Sequence, residues 1–176
     1  IIRNWKNLAL VGAGLGATLI AQTLRRRERY DFSGKSVVIT GGSRGLGLLL
    51  ARQLADQGAR LILAARDEAE LAGALEDLHR RQPSADVITI VADVREKDEA
   101  DRIIEQAVAR FGRVDVLINN AGVIQSGPLD NMTLQDFDEA MKTHFWGPLH
   151  MVMAVLPFMK RQKAGRIVNI SSIGGR

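Results

Sequence analysis

The run Thr40-Gly41-Gly42-Ser43-Arg44-Gly45-Leu46-Gly47 is where residue type and spacing point most directly to chemistry. Glycines at 41, 45 and 47 let a backbone turn sharply and come close to a pyrophosphate, because no Cβ stands in the way. The N–H groups opening a helix behind such a loop add positive potential for an anion. The pattern has that meaning only at a strand-to-helix junction. Here an apolar run over residues 36–40 precedes it and an amphipathic stretch from Gly45 follows. A second cluster, Gly12-Ala13-Gly14-Leu15-Gly16-Ala17, formally fits G-x-G-x-x-G/A. The strand after it ends in Thr40-Gly41 rather than in the acid that a ribose hydroxyl needs, so it is read as a decoy.

Positioning such a loop takes a sheet. From Lys35 onward, short apolar runs alternate with longer amphipathic ones. Residues 36–40, 60–65, 86–91, 114–118 and 166–170 read as buried strands, and residues 45–57, 68–81, 97–111 and 134–163 as helices. Pro148 and Pro157 are expected to bend the last helix. Strand and helix in strict succession predict an α/β fold, a doubly wound parallel sheet of Rossmann type, truncated after a fifth strand that is left as an edge. Gly58 and Gly112 are expected to close the first and third helices in the left-handed conformation, and Asp67 with Glu70 makes a capping-box-like start to the second.

Composition narrows the class. Of 176 residues, 46% are hydrophobic and 25% charged, enough for a buried core. No cysteine is present, which excludes disulfides, thiolate metal sites and cysteine nucleophiles. The net charge of +4 is local: residues 1–30 hold six cations against Glu28, while the remainder carries 18 basic and 19 acidic groups. A basic groove for nucleic acid is therefore not expected. Residues 1–30 read as an apolar helix with a basic flank, and 31–176 as a dinucleotide-binding domain of Rossmann type. Leu8 to Leu24 carries no charge. As a membrane helix it would span roughly 25 Å, with Arg25-Arg26-Arg27 on the cytoplasmic side, tethering a cytoplasmic domain. The alternatives are a helix packed on the domain and a cleaved signal peptide, the latter disfavoured because no A-x-A-like site follows.

Four motifs stand in order at the ends of the predicted strands: the T-G-x-x-x-G-x-G loop, Asp93-Val94, Asn119-Asn120-Ala121-Gly122, and Asn169-Ile170-Ser171-Ser172. With them, residues 35–176 resemble the short-chain dehydrogenase/reductase family. The resemblance implies that Thr40, Gly41, Ser43, Arg44, Gly45, Leu46 and Gly47 form the dinucleotide loop. Asp93 would accept from the adenine amino group, with Val94 beside the ring. Asn119, Ala121 and Gly122 would wall the adenosine ribose and pin the central strand. Ser172 would hold a substrate carbonyl, with Ser171 its structural neighbour. The implied activity is interconversion of a small-molecule alcohol and carbonyl by hydride transfer; the competing reading is a non-catalytic dinucleotide-binding regulatory protein of the same fold.

Cofactor choice has a physical argument of its own. The second predicted strand closes on Ala65 instead of a carboxylate, Arg66 follows, and Arg44 lies inside the glycine loop. Two guanidinium groups suit a 2′-phosphate by bidentate pairing, so NADP(H) is expected over NAD(H).

Two departures from the family pattern stand out. In the long helix the family usually has asparagine before its apolar-x-Gly step, where it bends the helix and holds a water for proton relay; Thr143-His144-Phe145-Trp146-Gly147 puts His144 there. Imidazole can relay protons near neutral pH. A packed histidine with one satisfied nitrogen is the alternative. His79 and His150 give no metal-ligand spacing, so no metal is expected. Met141, Met151, Met153 and Met159 read as core or subunit-interface filler. The second departure concerns the Tyr-x-x-x-Lys pair that protonates or deprotonates the substrate oxygen. It is expected beyond Arg176, so the 176 residues are expected to be an N-terminal fragment, inactive alone. Tyr30 cannot substitute, since Gly34 stands where the lysine belongs. Full-length members pair through helices, so a homo-oligomer is expected by resemblance.

Overall fold

β-branched residues crowd the first strand: β1 (Ser36–Thr40) reads Ser-Val-Val-Ile-Thr and is buried at every position. The computed structural model describes residues 30–124 and 127–172. After β1 come α1 (Gly45–Asp56), β2 (Arg60–Ala65), α2 (Glu68–Arg81), β3 (Val87–Val91), α3 (Lys97–Phe111) and β4 (Val116–Asn119). A 3₁₀ turn (Leu129–Asn131) leads to α4 (Leu134–Met141), a π-helical turn (Lys142–Trp146), α5 (Gly147–Gln162) and β5 (Arg166–Asn169).

All pairings are parallel, in the order β3-β2-β1-β4-β5. Val38 lies level with Ile62 on one side and Leu117 on the other. Alternation then assigns the faces. Val38, Ile62, Ala64 and Leu117 join Ile103 and Ile104 of α3 and Met151 and Val155 of α5 in one cluster. Val37, Ile39, Leu61 and Leu63, fully buried, point the other way, where α1 and α2 pack on the sheet. The doubly wound α/β architecture read from the sequence is the one found.

Three details differ. β3 and β5 are not buried strands: they are the sheet edges, with a single buried residue in β3 and four exposed residues in β5. Apolar composition cannot tell edge from centre, because cover comes from neighbours. The 134–163 helix is interrupted ahead of Pro148 rather than bent at both prolines. Pro148 has no N–H to give the His144 carbonyl, and the register slips just before it, with the Gly147 N–H donating to the Lys142 carbonyl. Pro157 sits inside α5 without ending it. Met151 and Met159 belong to the core, whereas Met141 and Met153 are exposed.

The helix ends follow their local signals. Gly58, at φ 75°, donates to the Ala55 carbonyl (2.8 Å) and Ala59 to that of Leu54 (3.0 Å), a Schellman closure of α1. Gly112, at φ 76°, ends α3. The Asp67 side chain accepts from the Glu70 N–H at 2.9 Å and caps α2. The Glu70 side chain does not reciprocate: it turns instead toward the glycine loop. The apolar segment from Leu8 to Leu24 lies outside the described residues; among those, no helix is long and apolar enough to cross a membrane.

Candidate functional site

A cavity of about 620 Å³ opens beyond the carboxyl ends of β1 to β4, lined by residues of the loops that follow each strand. This is where the chain reverses direction through the sheet: from β1 it winds outward to β2 and β3, then crosses back to β4 on β1's other side. In open parallel sheets that switch point is a natural crevice, because adjacent loops diverge there.

Of the sequence-predicted residues, the fold gathers Gly41, Ser43, Arg44, Arg66, Asp93, Val94, Ala121 and Gly122 around this cavity. Thr40, Gly45, Leu46, Gly47 and Asn119 stand behind or beside it, outside the lining. Their contacts explain several of them. Thr40 is 2% exposed, and its hydroxyl accepts from the N–H groups of Asn120 (3.0 Å) and Ala121 (3.1 Å), tying the end of β1 to the loop after β4. Gly47 is required by the loop's own packing, since a Cβ there would overlap the Gly41 carbonyl oxygen. Gly45 opens α1 at φ 54°, a conformation that side-chain-bearing residues avoid, and faces open space. Asn119 clamps β4 to β5 by donating to Asn169 Oδ1 at 2.8 Å.

The loop after β3 is held by a charge pair that sequence reasoning did not single out. Asp93 accepts from the Arg95 backbone N–H (3.0 Å) and Nε (2.9 Å), and Arg95 reaches on to Glu139 of α4 at 3.0 Å. Burial works to raise the Asp93 carboxyl, but the hydrogen bonds from Arg95, with the charges of Arg95 and Arg66, hold it below the usual carboxylate range. Asp93 therefore presents a charged acceptor at the cavity.

Asn120 was also missed. Its Nδ2 donates to the carbonyls of Thr40 and Gly41, both at 3.1 Å, so it pins the glycine loop from below. The motif Asn-Asn-Ala-Gly contained it, yet nothing in the spacing distinguishes which asparagine does this. Glu70 and Thr143 also line the cavity. Glu70 Oε2 accepts from the Ser43 hydroxyl at 2.8 Å, and its Oε1 lies 3.4 Å from Arg44 Nη1. Arg66 is exposed at the rim, where its charge helps keep the Asp93 carboxyl ionised.

His144 lies in the π-helical turn, behind the cavity wall. Its Nε2 is 2.9 Å from the Val123 carbonyl, which can only accept, so that nitrogen carries the proton and Nδ1 is left as the acceptor of the neutral ring. The ring also abuts Gly122: a Cβ there would come within 3.1 Å of His144 Cε1. Ser172, just past β5, is exposed. Neither His144 nor Ser172 lines the cavity itself. Among the described residues no group of histidine and carboxylate side chains could hold a metal ion.

Comparison with known proteins fits this geometry. An 11-beta-hydroxysteroid dehydrogenase A of Sesamum indicum is 39% identical over 143 residues, covering 81% of this chain and 40% of that protein. The crystal structure of a NAD+-bound xylitol dehydrogenase superposes with a TM-score of 0.78 at 28% identity, over 83% of this chain and 56% of that one. A metagenomic short-chain oxidoreductase in complex with NADP gives 0.76 at 34% identity, over 84% and 66%. The chain thus spans between 39% and 62% of the length of the first curated relatives it matches. The short chain dehydrogenase family model matches residues 35–176, the stretch that carries β1 to β5 and all four loops around the cavity, and the chain belongs to that family.

Proposed function

We propose that this chain is the dinucleotide-binding part of an NADP(H)-dependent oxidoreductase that interconverts an alcohol and a carbonyl. The observation carrying the reading is the cavity at the β1/β4 switch point, ringed by a glycine loop, a charged acceptor at Asp93 and two arginines. The residues fit a dinucleotide. The N-terminal turn of α1 and the open space at Gly45 suit a pyrophosphate, Asp93 and Val94 an adenine, and Arg44 and Arg66 a 2′-phosphate. Solved relatives include one with NAD+ and one with NADP, so the preference rests on the arginines of this chain. When bound, the nicotinamide supplies the hydride donor or acceptor.

The chain's own residues bind and orient. Asn120 and Thr40 fix the glycine loop against β4, Arg95 aims the Asp93 carboxylate, and Gly122 and Val123 form a wall backed by His144. By family resemblance Ser172 holds the substrate oxygen, and His144, standing in the slot of the family's water-holding asparagine, keeps Nδ1 as the acceptor for a relay water while its Nε2–H stays on the Val123 carbonyl. By the same resemblance the whole protein is a homo-oligomer, and the Arg25-Arg26-Arg27 run after the uncharged stretch of residues 8–24 favours a cytoplasmic domain tethered to the membrane through residues 1–30.

Titration of the intact protein with NADPH and NADH, followed by absorbance assays over a panel of ketones and alcohols, tests the reading. NADPH is expected to bind more tightly and to be oxidised by at least one carbonyl. Binding without turnover on any substrate, in protein that carries the tyrosine and lysine, favours the regulatory alternative. Gly45→Val is expected to weaken NADPH by about tenfold or more, because it forces a β-branched side chain into a left-handed position of the loop that would cradle the pyrophosphate. Unchanged affinity refutes the site.

A further inference from the structure

The two arginines do not face the cavity alone. Six charged side chains line it: Arg44, Arg66 and Arg95 against Asp67, Glu70 and Asp93. Asp93 and Arg95 satisfy one another at 2.7 Å, and Asp67 is engaged as the cap of α2. That leaves Glu70, which already holds the Ser43 and Arg44 side chains of the glycine loop. Ser43 is 7% exposed and gives Glu70 its hydroxyl proton at 2.8 Å, while Arg44 lies at 3.4 Å.

We infer that Glu70 is a specificity-determining residue: its carboxylate competes with a cofactor 2′-phosphate for Ser43 and Arg44, and so draws the preference back toward NAD(H). The inference rests on the cavity being the dinucleotide site proposed above. A serine hydroxyl has one proton to give, so serving the phosphate means leaving Glu70. The Arg44 side chain is 81% exposed, and an ion pair so wetted is weak enough to exchange. Once displaced, Glu70 remains anchored on the first turn of α2, its negative charge beside a phosphate of like sign. An unphosphorylated ribose feels no such repulsion, and its hydroxyl can donate to the same carboxylate.

Dissociation constants for NADPH and NADH, measured by fluorescence titration of the intact protein, test this in wild type, Glu70→Gln and Glu70→Asp. Glutamine keeps the size and still accepts from Ser43 while removing the charge. NADPH is expected to tighten about three- to tenfold with NADH unchanged or weaker. Aspartate retains the charge and is expected to keep the NADPH to NADH ratio within about twofold of wild type. A ratio unmoved in Glu70→Gln, or moved toward NADH, overturns the inference. An equal shift in Glu70→Asp does so too, since shape rather than charge would then be responsible. The two readings separate cleanly: a wild-type preference for NADH defeats the NADP(H) proposal, while the shift between variants still decides the role of Glu70, and no binding of either nucleotide defeats both.

Discussion

Asp93 and Arg95 show how a single side chain prepares a site. A carboxyl whose folded pKa lies below its unfolded value of about 3.9 contributes stability that is complete above that value and is lost as pH falls through the folded one. The depressed Asp93 therefore stabilises the fold above about pH 4. Arg95→Ala is expected to raise the Asp93 titration midpoint in NMR. It is also expected to lower the urea midpoint by more at pH 7 than at pH 3, because wild type gives up the same contribution as pH falls toward the folded Asp93 pKa. A loss of equal size at both pH values would show that packing, not charge, is what Arg95 provides. Asn120→Ala removes both donors that hold the Thr40 and Gly41 carbonyls. A cost of about 1 to 2 kcal/mol in urea unfolding is expected, with weaker NADPH binding as the loop loosens. At this scale, legibility depended on whether a residue has one job or two. The glycine loop was readable because its spacing has few other uses. Glu70 was assigned to a local cap because Asp67 stands three residues before it, and only the folded arrangement brings Ser43 from 27 residues away to claim its side chain.

Elements carry a different kind of information. The caps at Gly58, Gly112 and Asp67 were legible since each depends on residues within one turn. The π-helical turn was only half legible: the family resemblance puts a bend at the His144 slot and Pro148 lacks a donor, but no residue pattern marks a slip of one hydrogen bond. Pro148→Ala restores that donor. The helix over 134–162 is expected to become α-helical throughout, swinging His144 off Val123, and a lost or shifted His144 Nε2–H resonance in NMR would report it. Retention of that signal would show that the side-chain contact, not the proline, sets the turn. The start of the sheet depends on Asp115, 4% exposed, which accepts from the Ser36 N–H at 3.0 Å and from Arg113 Nε at 2.9 Å. Asp115→Ala leaves a buried N–H without its acceptor, and unfolding by urea is expected to show a loss of about 2 to 3 kcal/mol.

For the molecule as a whole, strict alternation of strand and helix was enough to fix the architecture, because a parallel sheet needs crossovers and crossovers need helices. Strand order was not readable from it, and neither was the exposure of β3, since both depend on which strand each crossover reaches. Leu117, fully buried in β4 between β1 and β5, is the place to test the core. Leu117→Ala is expected to cost about 2 to 5 kcal/mol, read as a lower unfolding midpoint.

Because every strand runs the same way, the returns at Gly58, at residues 82–86 and at Gly112 all fall at the far end of the sheet from the crevice. Ser84 sits on one of these returns and is exposed. None of the 176 residues is cysteine, so Ser84→Cys would give this stretch a lone thiol where a dye or an immobilising linker reports on the folded state without touching the ligand.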